Sequence, residues 1–258
     1  MTIATRYAVR IVLKVSICER VTGMILVQPR LFTNTELHQL IITTTDDDRY
    51  ALRLGCTPVT TTDGRHVCHQ NYDLIDTIRR EAWMHGRLDV YHTSVYGIYC
   101  MHHDVIMTGN DAIHTHIPDI LHHHEALFAA QSGCDDAYRL RAWHCVIEWL
   151  GAANVRTPWH DTSRSPSMNQ FVIESYMALS SAQRAVVAYL FHHHTTSVLL
   201  PLMLAMGRTT ADMYAHAMVL TTRLPDVGLR STWDEYRQSY YHFVTGAQSA
   251  QAYLWLVT

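Results

Sequence analysis

Lysine is almost missing from this chain. Lys14 is the only one, so nearly all positive charge is carried by arginine. With 20 Lys and Arg against 23 Asp and Glu the formal charge is −3, which leaves no basic field and argues against a general nucleic-acid binder. Closely paired cysteines are missing too. Cys18, Cys56, Cys68, Cys100, Cys134 and Cys145 are spread widely with no C-x-x-C among them, and no secretory signal is recognisable. A disulfide framework is not expected, and a reducing compartment is the default. There is no membrane-length apolar run. The longest apolar mass, residues 186–191 and 198–206, is broken by His192, His193, His194, Thr195 and Thr196 and contains Pro201. Spanning a bilayer takes roughly 20 apolar residues. Residues 180–220 therefore read as a buried helical core. Catalytic signatures are absent as well: no G-x-S-x-G, no catalytic cysteine setting, no phosphate-binding G-x-x-x-x-G-K-[ST] and no G-x-G-x-x-G.

What is present is globular. Hydrophobic residues make up 48% and charged residues 17%, which fits a protein with much covered surface. Arg6, Arg10 and Lys14 recur every four residues in an acid-poor start. As a helix this resembles a mitochondrial targeting segment, whereas the loose alternation of residues 8–15 would also suit a strand. Residues 1–31 are set apart as a targeting-like or interaction extension.

Residues 40–67 are rich in threonine and β-branched side chains, with turn signals at Asp46-Asp47-Asp48 and Asp63-Gly64. Tyr50, Leu52 and Leu54 share one side of a strand, Pro58 confines the next to an edge or turn, and a hairpin closes at Asp63-Gly64. Helical spacing then takes over. Asn71 caps a helix with Leu74, Ile75, Ile78 and Ala82 on one face, ending near Gly86. Residues 98–106 suit helix or strand. Pro118 is expected to start a helix carrying Ile120, Leu121, Leu127 and Phe128 inward and Glu125 outward. Asp135 opens another with Leu140, Trp143, Ile147 and Leu150 on one stripe. Residues 156–170 read as an irregular loop. Capping boxes are expected at Ser180 with Gln183, Thr209 with Asp212 and Ser231 with Asp234, the last helix stopping near Gly246. Gly207 is a left-handed C-cap. The fold class is α+β: a small β-containing N-terminal domain, residues 32–110, precedes a larger all-α helical domain, residues 111–258.

The 19 histidines invite a metal reading. His114 and His116, the triplets at 122–124 and 192–194, and His102-His103-Asp104 all carry ligand chemistry. Consecutive residues on a helix point about 100° apart, so no triplet turns more than one or two rings to one metal. Solvated or hydrogen-bonded histidines are the better expectation, and no cofactor is implied. His103-Asp104 alone is a thin basis for a metal-dependent phosphohydrolase. Tyr236, Tyr240, Tyr241 and Phe243, with Trp233, could stack on RNA, but without basic neighbours they read as packing or as a protein interface.

The order of these features resembles a family, the assembly chaperones that hold the alpha subunit of the mitochondrial ATP synthase. The family signature L-D-G-R-P-x-K-T-P-x-G-R-x-L is met at Leu54, Pro58, Thr61, Gly64 and Arg65, although the first D-G-R and the lysine are not. Leu74, Ile78 and Glu81 fit the next helix, with Trp83 displaced by one residue. Asp104 falls where the family has an aspartate. Val146-Ile147-Glu148-Trp149, Ser197-Val198-Leu199-Leu200, Gly207-Arg208, Ala215, Ala217, Ala252, Leu254 and Leu256 continue the likeness. Where the family carries D-E-x-x-Q and then W-G, this chain has Thr221, Thr222 and Pro225, then Gly228. Carboxylates pair with a client's arginines; threonines cannot. The resemblance thus implies a repurposed copy: a non-catalytic accessory subunit fixed in a large mitochondrial complex, the ATP synthase first among them, on the matrix side. The alternative is a working alpha-subunit chaperone, and a metal-dependent hydrolase ranks behind both. The expected partner-binding residues are Trp233, Tyr236, Tyr240, Tyr241, Thr221, Thr222, Glu81 and Asp104, with residues 1–30 as a second contact.

Overall fold

A computed structural model describes residues 29–90, 94–122, 143–153, 168–194, 197–223 and 233–258. Residues 1–28 of the targeting-like start, Glu125, Leu127, Phe128, Asp135, Leu140 and the Ser231 cap lie outside these residues, while the last residues of that start enter the sheet part of the fold.

The N-terminal part is built from short strands. β1 (Arg30–Leu31) pairs antiparallel with β6 (Arg87–Leu88) as a separate ribbon. Between them α1 (Asn34–His38) opens on a capping box: Glu36 N–H donates to Thr33 Oγ1 at 3.2 Å and Thr33 N–H to the Glu36 carboxylate at 2.8 Å. β2 (Leu40–Thr44) and β3 (Tyr50–Leu54) form a hairpin in the register Leu40↔Leu54, Ile42↔Leu52 and Thr44↔Tyr50. Its turn contains Asp48 at φ 56°, a left-handed value that aspartate tolerates. β4 (Thr57–Pro58) and β5 (Cys68–His69) both pair with β3. Pro58 stands on an outer strand, where its missing N–H costs little. A bridge from Thr60 to His66 closes the expected turn, with Gly64 at φ 80°.

α2 (Tyr72–His85) lies against this sheet. Asn71 Oδ1 accepts from Asp73 N–H at 2.8 Å, and Gly86 ends the helix at φ 64°. Leu74, Ile75, Ile78 and Ala82 are buried, as their spacing requires.

Helices follow. α3 (Val95–Cys100) runs into a π-helical turn, Met101–Ile106, resolving the ambiguity of that stretch. α4 (Ile113–His122) corrects the reading of Pro118, which lies inside the helix rather than at its start. Asp111 Oδ1 accepts from Ile113 N–H at 3.2 Å and sets the start earlier. Burial of Ile113, Ile117, Ile120 and Leu121 outweighs the bond that proline cannot make. α5 (His144–Ala152) buries Val146, Trp149 and Leu150, with Ile147 packed partly against the core. α6 (Met168–Met177) begins inside the stretch expected to be loop, so residues 168–170 are helical.

α7 (Ser181–His194) is the centre. The Ser180–Gln183 box is formed, at 3.0 and 3.2 Å. Ala182, Ala185, Val186, Val187, Ala188, Tyr189, Leu190, Phe191 and His194 are all buried, so the helix is covered on nearly every side. Gly97 of α3 marks the closest approach: a Cβ there would lie 2.5 Å from the Tyr189 ring. α8 (Leu199–Ala205) ends as expected at Gly207, φ 68°, with Arg208 N–H donating to Met203 O at 2.9 Å.

α9 (Ala211–Arg223) is capped one residue later than expected. Met213 N–H donates to Thr210 Oγ1 at 3.2 Å, while Thr209 is buried and turned inward. α10 (Trp233–Val257) overrides the expected stop and runs through Gly246. A mid-helix glycine costs about 1 kcal/mol. Here Gly246, Ala247 and Ala250 are buried side by side, and the packing they allow outweighs that cost. One apolar cluster from Phe32 to Leu256 runs through both parts of the chain.

Candidate functional site

The polar groups of interest gather in two places. The first is the junction between the sheet and the helices. Asp104, on the π-helical turn, is only 3% exposed. It accepts from Thr61 Oγ1 at 2.7 Å, from Thr62 Oγ1 at 2.8 Å and from Asp63 N–H at 3.2 Å, and Arg65 Nε lies 3.8 Å away. A carboxylate offers about four lone-pair sites, so little capacity is left over. The turn that it holds includes Thr61, Gly64 and Arg65, which match the family signature. Asp63, Gly64, Arg65 and His66 stand exposed at its tip.

Glu81 stitches α2 to α3. Its carboxylate accepts from Val95 N–H at 2.8 Å and Tyr96 N–H at 3.0 Å, at the positive end of a helix whose N-cap is Ser94. Burial pushes its pKa up to about 7, against the lowering effect of those two backbone bonds. Tyr99 Oη accepts from Cys68 N–H at 3.1 Å and donates to Cys68 O at 2.9 Å, tying α3 to β5. Asn71 Nδ2 donates to Leu256 O at 2.8 Å, joining the last turn of α10 to the cap of α2. Glu81 and Asp104, expected to bind a partner, both turn their carboxylates inward onto groups of this chain.

The metal reading of His102-His103-Asp104 does not gather these residues. His102 Nδ1 lies 2.7 Å from Tyr253 Oη and its Nε2 2.9 Å from Ser181 Oγ, so it bridges α10 and α7. The His103 ring lies on Tyr99 with centroids 4.1 Å apart, and Asp104 faces the threonines. Burial lowers the pKa of both histidines to about 4 and keeps them neutral near pH 7. His194 Nδ1 lies 2.7 Å from Tyr214 Oη, and burial likewise holds it well below the usual range. Among the described residues no group of three His, Cys, Asp or Glu side chains is placed to hold a metal ion.

The second place is the outer contact of α9 with α10. Thr221 and Thr222 lie in the last turn of α9 and Trp233 opens α10, their side chains falling outside the described residues. Tyr236 Oη lies 2.6 Å from His216 Nδ1, and Tyr240 donates to Asp212 Oδ1 at 2.8 Å. That bond to a carboxylate pushes the Tyr240 hydroxyl up to about 12. The two rings are stacked at 9°, centroids 6.3 Å apart. Tyr241, one residue on and about 100° round the helix, is 64% exposed. The expected aromatic face therefore divides: two tyrosines join the helices to one another and the third faces outward.

Sequence reasoning passed over Thr33 with Glu36, although T-x-x-E is a readable signal. It also passed over Ser94, a local N-cap that accepts from Gly97 N–H at 3.1 Å, and over Tyr99, Tyr189 and Tyr253, whose partners are far along the chain and leave no local trace.

A small antiparallel sheet tied by inward-facing carboxylates to a larger helical part makes an α+β fold, and that fold is similar to one already solved. A solved aspartate-to-lysine mutant of P. denitrificans Atp12p has a TM-score of 0.55 to this chain, covering 89% of it and 98% of that chain, at 14% identity. At that identity the likeness is one of fold. No protein-family model matches the chain, and no curated protein matches it in sequence.

Proposed function

We propose that this chain serves the ATP synthase as a non-catalytic accessory subunit built on an assembly-chaperone fold, in the mitochondrial matrix or on the matrix face of the inner membrane. The observation that carries this reading is the pairing of a retained scaffold with an exchanged recognition site. Glu81 and Asp104 keep the sheet and helices in the Atp12p arrangement. Thr221 and Thr222 stand on the last turn of α9, where the family's acidic pair is expected from the order of motifs. Without those charges the chain loses the means of gripping and releasing an arginine-bearing client, and permanent burial suits it better. No helix among the described residues is long and apolar enough to cross a membrane.

The second reading, a working chaperone of the alpha subunit, is favoured by the coverage: nearly the whole of the Atp12p chain has a counterpart here. Gentle fractionation of mitochondria separates the two. The subunit reading expects comigration with mature ATP synthase at a fixed stoichiometry. Migration as free protein, or only with unassembled alpha subunit, would overturn it in favour of the chaperone.

A further inference from the structure

The last helix has a solvent face without the charges such faces ordinarily carry. From Gln238 to Thr258 there is no Asp, Glu, Lys or Arg. The inner side of this stretch is buried through Phe243, Val244, Ala247, Ala250, Tyr253 and Leu256. Tyr241, Thr245, Gln248, Ala252 and Trp255 are exposed. At 100° per residue these five lie within about 40° of a single line along the helix. The ends of the line are aromatic, Tyr241 being 64% and Trp255 76% exposed. Solvent faces of surface helices are normally charged, whereas depletion of charge with enrichment of aromatics marks the centre of an interface.

The line is also symmetric about its midpoint. Tyr241 and Trp255 each stand seven residues from Gln248, two turns or about 10 Å along the axis. Thr245 and Ala252, both small, lie three and four residues away on either side. Two such helices set antiparallel bring Tyr241 onto Trp255 of the second copy at both ends and Gln248 onto its own image, with Thr245 beside Ala252, one residue (about 1.5 Å) out of register. A primary amide both donates and accepts, so Gln248 is complementary to itself. Asp234, Glu235 and Arg237 lie outside the paired turns, so no charge is buried.

We propose that the outer face of Trp233–Val257, from Tyr241 to Trp255, is a docking surface for the same face of a second copy of this chain. The proposal is independent of the chaperone-fold reading. Four aromatic side chains of order 150 Å² each, with the small residues between them, bring the contact to roughly the 1,200 Å² at which specific interfaces begin. A contact of that size sits at the weak, reversible end of specific interfaces.

Sedimentation velocity of the full chain from about 1 to 100 μM tests this, with a monomer–dimer shift expected across that range. Ala252→Glu is expected to weaken the dimer at least about tenfold, because it puts a carboxylate against Thr245 of the other copy, with an unchanged thermal melt. Trp255→Ala provides the same readout should Ala252→Glu disturb folding. The two-fold arrangement has its own signature: Gln248→Glu and Gln248→Lys should each be monomeric alone and should dimerise when mixed. A native chain that stays monomeric throughout overturns the proposal. So does a dimer indifferent to Ala252→Glu and Trp255→Ala, or failure of the mixed variants to recover. A different protein seated on this face, with no self-association, overturns it as well.

Discussion

The central helix Ser181–His194 contains one formal charge, Arg184, and the C-terminal helix contains none after Arg237. The two use that lack differently. The central helix is enclosed, and its polar groups meet partners from distant parts of the chain. Arg184 reaches Asp111 at 3.3 Å, Tyr189 Oη accepts from Ser94 N–H at 3.1 Å, and His194 meets Tyr214. The C-terminal helix is enclosed on one side only, and its other side offers an amide and two aromatic rings to solvent. A charge-poor helix is therefore an ambiguous signal: it marks a core where neighbours surround it and a contact surface where they do not.

The comparison breaks most decisively if the interior polar partners are dispensable. Asp104→Ala should lower the unfolding free energy by about 3–4 kcal/mol in a urea melt, since it orphans two hydroxyls and an amide beside the core. A loss below about 1 kcal/mol would mean that water enters the Thr61–Asp63 turn and that the junction is not locked by this residue.

A smaller effect sharpens it through pH. The folded-state pKa of Glu81, about 7, is above its ordinary 4.5, so the folded chain holds this proton more tightly. Its stabilising contribution is complete below pH 4.5 and is lost as pH rises through 7. Allowing for the partial exposure of the side chain, the loss is about 1–2 kcal/mol. His102, lowered from 6.5 to about 4, acts oppositely: its contribution is complete above pH 6.5 and is lost as pH falls toward 4. Glu81→Gln should remove the first slope and leave the acid-side loss in place. Melts at several pH values check this, and a Glu81→Gln chain with the native slope between pH 5 and 7 would count against a buried carboxylate.

The smallest expected change is on the outside. Tyr240→Phe gives up one exposed bond to Asp212 and should cost no more than about 1 kcal/mol. Trp255→Ala should lie within about 0.5 kcal/mol of the native chain in a dilute thermal melt, despite its effect on self-association. A larger loss from Trp255→Ala would place that ring in the fold rather than on a contact surface.

Much of this fold was legible beforehand because its signals are local. Asn71, Ser180 with Gln183, Gly86 and Gly207 mark helix ends through bonds spanning a few residues, and the alternation of Tyr50, Leu52 and Leu54 marks a strand. The candidate site was legible only in composition. Asp104 and Glu81 could be named from the family's motif order, but nothing near them in sequence says that their oxygens face Thr61, Thr62 and the start of α3. The aromatic residues of α10 could be placed at helical spacing, yet which of them would face α9 depended on how the two helices sit together.

The amino-acid sequence by itself determined several helix ends, at Asn71, Gly86, Ser180 and Gly207, and the order of a β-rich part before a helical one. Backbone groups at the ends of an element must be satisfied by side chains a turn away, and a residue or two suffices to encode that. Tertiary structure alone decided the rest. It carried the helix past Gly246, placed Pro118 inside a helix, chose Thr210 over Thr209 as a cap and left the charge-free stretch of the last helix half uncovered. It also joined Asn71 to Leu256 across 185 residues and Asp104 to Thr61 across 43. In each case the deciding quantity was the fit of one packed surface to another, and close packing is a property of the assembled chain rather than of any stretch within it.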